Sequence, residues 1–198
     1  MNLSQPLIAL GGRLRSGKDC VADRLVAEHG FIKMGMSDAL HEALLAIDPW
    51  VHVGEAHAYA HSAPVGWQQY SDLIEAVGYV ETKTVPEVRR LLQKLGTEVG
   101  RDMIGENVWV NIMASKIVGH LCAGRPVVVT GIRFPNEVGM VRDLEGTAVW
   151  IDRPGVDAHS GTASHSSENS VGADDFMVII KNDSTLEDLR LKADELVQ

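Results

Sequence analysis

The sequence predicts a three-layer α/β/α fold around a parallel sheet, and three observations predict it. A glycine-rich loop links an apolar run, Leu7 to Leu10, to an amphipathic segment from Cys20, which is how an α/β unit begins. Apolar runs then alternate with segments of helical period along the rest of the chain. Two of those runs, Val127-Val128-Val129-Thr130 and Thr147-Ala148-Val149-Trp150-Ile151, are largely apolar, as strands covered on both faces are. With 198 residues and 45% apolar content, the chain can bury a full core as a single domain over 1–198.

The elements follow in order. The first strand feeds Gly12-Arg13-Leu14-Arg15-Ser16-Gly17-Lys18, a Gly-x4-Gly-Lys spacing that opens a helix from Cys20 to His29, with Val21, Leu25 and Val26 on one side. Phe31 to Met34 reads as a second strand, and Ser37-Asp38 as the cap of a helix from Ala39 to about Ile47. Residues 48–85 hold prolines, histidines, tryptophans and tyrosines with weak periodicity from Gln68 to Val77, and read as an insertion over the core. A helix then starts near Pro86, with Val88, Leu91, Leu92, Leu95 and Val99 at helical spacing. Further helices are expected over Val108–Ala123 and Phe134–Leu144. Met177 to Ile180 is the last strand, and Ser184 caps a final helix to Val197. Short connections favour right-handed crossovers.

Composition narrows the function. Eighteen basic against 27 acidic residues give a net charge of −9, which argues against a protein that coats nucleic acid. Cys20 and Cys122, far apart in sequence, read as buried free thiols in a reducing cytosol. No apolar run approaches the roughly 20 residues of a membrane span, and no secretory signal is evident at the N-terminus. A cytoplasmic enzyme is expected.

The chemistry starts at the loop. Strand, glycines and helix N-terminus bring amides, helix dipole and Lys18 together on a polyphosphate. A Ser or Thr commonly follows the lysine and ligates magnesium. Here Asp19 follows, and it reads as a metal or metal-water ligand, or else as a simple charge at the helix N-terminus. Arg90, Gln93, Thr97 and Arg101 recur at helical spacing opposite the leucine stripe. That face could hold a phosphate and read a nucleoside, or be a solvated face of Arg–Glu pairs with Glu87 and Glu98. Gly96 and Gly100 lean toward function, since each costs a helix about 1 kcal/mol. Arg133 lies just beyond a strand's carboxyl end, where open α/β sheets bind ligands. Residues 153–175, rich in Gly, Ser and His, read as a lid. The His57/His61 pair and His165 read as surface residues rather than metal ligands. Trp67 and Tyr70 either stack on a base or pack in the core.

Taken together these motifs resemble the phage-type deoxynucleoside monophosphate kinases of the P-loop kinase superfamily. The resemblance is carried by Arg15-Ser16-Gly17-Lys18-Asp19 with Ala22-Asp23, by Arg89 to Glu98, by Arg133, and by Arg153-Pro154-Gly155, His165-x-x-Glu168 and Asn182 to Glu187. It implies a P-loop kinase fold with a nucleotide-binding insertion and a lid, ATP as donor, a deoxynucleoside monophosphate as acceptor, magnesium as cofactor, and often a homodimer. By similarity, Gly12, Arg13, Arg15, Ser16, Gly17, Lys18, Asp19, Cys20 and Asn182 face ATP. Asp38, Trp67, Arg90, Gln93, Thr97, Arg101 and Arg133 face the acceptor. Lys18, Arg133 and Arg153 carry catalysis, and Asp19 the metal.

Two departures stand out. Many P-loop kinases place an acid at the end of the strand that here reads Val128-Val129-Thr130-Gly131, which shifts the metal burden to Asp19 or Asp38. The segment 154–175 has no arginine, so Arg153, Arg133 and Arg13 or Arg15 are left to stabilise the transferring group. The alternatives are a kinase acting on a modified base in DNA, a nucleotide-binding module without turnover, and a dephospho-coenzyme A or small-sugar kinase.

Overall fold

The computed structural model describes residues 6–56, 58, 63–155 and 170–197. In chain order the elements are β1 (Leu7–Gly12), α1 (Lys18–His29), β2 (Ile32–Gly35), α2 (Asp38–Ile47), β3 (Trp50–Val53), β4 (Gly66–Gln69), α3 (Tyr70–Thr82) and α4 (Pro86–Lys94). A π-helical stretch, Leu95–Ile104, follows. Then come α5 (Val108–Cys122), β5 (Val127–Thr130), α6 (Pro135–Asp143), β6 (Thr147–Asp152), β7 (Val178–Lys181) and α7 (Leu186–Asp194). These residues form two compact units, one of Met1–Met36 with Val110–Gln198 and one of Ser37–Trp109.

The first unit is built on a parallel five-stranded sheet in the order β2-β5-β1-β6-β7. Side chains alternate along each strand, so the three inner strands β5, β1 and β6 each supply two cores. Leu7 and Ala9 of β1, with Val127 and Val129 of β5, pack against Val110, Met113 and Ile117 of α5 and Val138 and Val141 of α6. Ile8, Leu10 and Val128 point the other way, onto Val21 and Leu25 of α1 and Leu189 of α7. Helices on both faces of one sheet make the three layers. Each fully buried aliphatic chain contributes about 1.5–3 kcal/mol, so β1, apolar on both faces, anchors the unit. Its neighbours β5 and β6 lie on opposite sides, and the connections reverse there. The carboxyl end of β1 is therefore the topological switch point where such sheets bind ligands.

The second unit has its own core of Leu44, Val51, Val53, Tyr70, Leu73, Val85 and Val88. It contains an antiparallel pair that the sequence reading did not anticipate, β3 with β4, in the register Val51↔Gln68 and His52↔Trp67. Val51 and Val53 face inward while Trp50 and His52 face out.

Several local expectations are corrected. Cys20 and Cys122 are free but exposed rather than buried. Val26 is exposed, and Ala22 takes its place on the buried side of α1. Ser37 stands at the N-cap of α2 without a side-chain cap bond. α7 is capped by Thr185, whose hydroxyl accepts the Asp188 amide, instead of by Ser184. The helix from Pro86 ends as α-helix at Lys94 and continues with π pairing, so the residues beyond it leave the 3.6 period.

Candidate active site

The Gly-x4-Gly-Lys loop leaves the middle strand of the sheet and enters α1 at Lys18. Its turn needs positive φ at Gly12 (+138°), Arg15 (+61°) and Gly17 (+105°). Space is as demanding as torsion. A Cβ at Gly12 would lie 2.6 Å from the Ile151 carbonyl oxygen, and one at Gly17 would lie 2.8 Å from the Asn182 amide nitrogen. Ser16 is only 1% exposed. Two side chains from the far strands grip the loop's carbonyls. Asn182 Nδ2 donates to Ser16 O at 2.8 Å, and Arg153 Nη1 donates to Arg15 O at 3.1 Å. The Asn182 amide in turn donates to Asp152 O at 2.7 Å, tying the end of β7 to that of β6.

Lys18 Nζ lies inside this loop, donating to Gly12 O at 2.8 Å and Arg13 O at 2.6 Å, with Ser16 Oγ at 3.4 Å. Its pKa is lowered by burial, then raised by the Asp19 carboxylate and lowered again by the Arg133 guanidinium. Arg133 is exposed and follows β5, whose Thr130 pairs with Leu10 of β1, so it lies at the strand end beside the one that feeds the loop. Asp19 and Cys20 face solvent on the first turn of α1. Asp19 is 78% exposed and lies 3.2 Å from Lys33 Nζ, which also donates to Asp23 at 2.9 Å.

The loop residues, Arg133, Arg153 and Asn182 thus belong to one unit. Asp38, Trp67, Arg90, Gln93, Thr97 and Arg101 belong to the other. There Asp38 opens α2, and Trp67 stands 66% exposed on β4 with its ring 5.2 Å from that of His52. Arg90 makes two bonds to Glu87, Nη2 to Oε1 at 2.6 Å and Nε to Oε2 at 3.1 Å, the ion pair weighed for this face. Gln93 is exposed on α4. Thr97 and Arg101 lie on the π stretch, and Arg101 Nη1 donates to Glu106 O at 3.5 Å. Tyr70 is fully buried with its Oη 2.9 Å from His41 Nδ1, and burial pushes its pKa up to about 12, so Tyr70 packs in the core. Gly100 has a packing cause in Trp109, while a Cβ at Gly96 would meet Leu40 at 3.2 Å. Trp109 Nε1 donates to Gly96 O at 2.9 Å, and a Cβ at Gly100 would lie 2.3 Å from the same indole nitrogen.

Two residues escaped the sequence reading. Lys33 pairs with Asp19 and Asp23, a contact set by how β2 runs beside α1. Glu137, 4% exposed, sends Oε2 to the backbone amides of Arg133 at 2.7 Å and Phe134 at 3.1 Å. Its signal was present, since an acid at the third helical position after a proline start is a capping pattern. His57, His61, His165 and Glu168, and most of the expected lid, lie outside the described residues. Among the described residues no three His, Cys, Asp or Glu side chains gather as a metal site, and no helix is long and apolar enough to cross a membrane.

Comparison with known proteins adds an independent line. A family model described as deoxynucleotide monophosphate kinase matches residues 55–193, a stretch that begins beyond the phosphate loop. A protein of Acanthamoeba polyphaga mimivirus with a provisional deoxynucleotide monophosphate kinase name is 26% identical over 192 residues, 92% of this chain and 91% of its own. The deoxynucleotide monophosphate kinase of Escherichia phage RB69 is 26% identical over 130 residues, 65% of this chain and 51% of its own. The chain thus aligns with about half the length of that phage relative. Among solved structures, a dephospho-CoA kinase from Campylobacter jejuni covers 98% of this chain and 96% of its own at 14% identity, with a TM-score of 0.48.

Proposed function

Because the chain belongs to the deoxynucleotide monophosphate kinase family, we propose that it transfers the γ-phosphoryl group of ATP to the 5'-phosphate of a deoxynucleoside monophosphate, giving the diphosphate, and that it works in the cytoplasm. The observation that carries the proposal is Lys18 held inside the glycine loop at the switch point of the sheet, with Arg133 following the adjoining strand β5, whose Thr130 pairs with Leu10 of β1. A polyphosphate bound there would be neutralised by both cations.

The chemistry is in-line attack by an acceptor phosphate oxygen on the γ-phosphorus. A monophosphate is already a nucleophile, so no strong base is needed, and catalysis consists of positioning and charge neutralisation. The loop amides and Lys18 hold the donor phosphates. Arg133 neutralises the transferring group, and Arg153, whose Nη1 holds Arg15 O, approaches it from the β6 end. Arg90, Gln93, Thr97 and Arg101, with Asp38 and Trp67, take the acceptor. Arg90 exchanges its carboxylate partner Glu87 for the acceptor phosphate, a swap of one bidentate anion for another. Asp19 would hold a magnesium ion there, since it is exposed and next to Lys18. When bound, that ion neutralises charge on the phosphates.

The test is incubation with ATP, magnesium and each deoxynucleoside monophosphate separately, following diphosphate formation by chromatography with Lys18→Ala as control. Diphosphate from one or more acceptors, lost in Lys18→Ala, is the expected result. ATP binding with no diphosphate from any acceptor overturns it, and moves the acceptor to DNA or the protein to a binding module.

A further inference from the structure

The strand that ends at Thr130 carries no acid at Gly131, but the structure supplies one from further along the chain. Glu137 is 4% exposed, and its Oε2 accepts from the amides of Arg133 at 2.7 Å and Phe134 at 3.1 Å. Both bonds converge on one oxygen. They close the turn that starts at Gly131, where φ is +81°, and passes through the buried Ile132. Side-chain direction follows from the backbone that carries it, so the bond to the Arg133 amide sets where the guanidinium of Arg133 emerges. Arg133 follows β5, whose Thr130 pairs with Leu10 of β1, the strand that feeds the loop holding Lys18.

We infer that Glu137 is a positioning residue for phosphoryl transfer: it aims Arg133 at the phosphates held by Lys18. Its Oε2 serves the backbone, since that oxygen accepts from both amides. This inference rests on the kinase reading above, in which Arg133 neutralises the transferring group. The competing explanation is a negative charge at a helix N-terminus, which stabilises α6 and does nothing for Arg133.

Two conservative changes separate them in opposite directions. Glu137→Gln loses the charge but keeps an oxygen that can accept both amides. Glu137→Asp keeps the charge but is one methylene too short to reach them. With the full chain, kcat, the KM for ATP and for the acceptor, and Tm are measured for both, and again in an Arg133→Ala background. The expected order is Gln close to wild type and Asp lower in kcat by about 10- to 100-fold, with the KM for ATP within about 2-fold, and with that loss largely gone once Arg133 is Ala. Asp retaining kcat while Gln loses it overturns the inference in favour of the helix charge. A loss in Glu137→Asp that persists undiminished in Arg133→Ala overturns it as well, since the effect then does not pass through Arg133. A wild-type protein that forms no diphosphate overturns the kinase reading itself, an outcome reached before any variant is compared.

Discussion

Lys18 and Asp19 are neighbours in sequence and opposites in environment. The lysine is half-buried among loop carbonyls, where burial lowers its pKa. The aspartate is 78% exposed and shares Lys33 with Asp23. Asp19→Ala should therefore leave Tm nearly unchanged, because Lys33 keeps Asp23 at 2.9 Å and an exposed pair of this kind contributes about 0–1 kcal/mol. It should raise the magnesium concentration needed for half-maximal turnover by about 10-fold or more, the scale on which losing one strong ligand acts. Identical magnesium titrations for the two proteins would remove Asp19 from the metal. At this scale the sequence was informative wherever chemistry follows spacing. Gly12, Gly17 and Lys18 announce themselves because few other residues fit those torsions and that reach. Lys33 did not, because its partnership depends on which strand lies beside α1. Tyr70 could not be assigned either way, since a Tyr serves equally as a stacking ring and as core, and only its burial against His41 decides.

At the level of elements, strands and helices of the first unit follow hydrophobic period, and the sequence read them within a residue or two. The second unit was harder. The β3–β4 pair consists of four-residue strands joined by a long connection, 54–65, so neither the alternation nor the turn was strong enough to be read. The switch from α to π pairing after Lys94 was equally hidden, because it is Trp109, from beyond the stretch, that fills the space over Gly100 and accounts for that glycine. This offers a test of sign. Propensity alone says that Gly100→Ala stabilises a helix by about 1 kcal/mol. The packing says the opposite: a methyl group at Gly100 collides with the Trp109 indole and costs about 1–3 kcal/mol. Chemical denaturation should show the loss, accompanied by a red shift of tryptophan emission as Trp109 is displaced. A stabilised variant would mean that Gly100 answers to something other than Trp109.

Across the molecule, α1 and α7 are joined by one carboxylate. Asp194 accepts Arg24 Nε at 3.0 Å and Nη2 at 2.9 Å, and His29 Nε2 lies 2.8 Å from Asp194 Oδ1. The bonds from Arg24, then His29, hold the Asp194 carboxyl down at about 2. A carboxyl whose folded pKa is depressed stabilises the fold above its unfolded value of about 3.9 and loses that contribution as pH falls toward the folded value. Tm should thus fall between about pH 4 and pH 2 by more in the wild type than in Asp194→Asn, while at pH 7 the variant is the less stable. Parallel Tm curves for the two proteins across that window would show that the trio contributes nothing. The sequence could not suggest this link, since its partners lie 170 residues apart.

The phosphate loop shares that long reach, and this has a consequence for how the protein is made. The motif leaves the ribosome well before the two side chains that grip its carbonyls, which come 138 and 166 residues later, as Arg153 and Asn182. At about 5–20 residues per second, the wait is on the order of 10–30 s. Until β5 and β6 are made, the nascent chain displays every residue of the motif while β1 lacks both of its strand neighbours. A translation product cut short before β6 would pass any test that reads the motif and fail any test that asks it to hold a nucleotide. The later strands thus close the site that β1 opens.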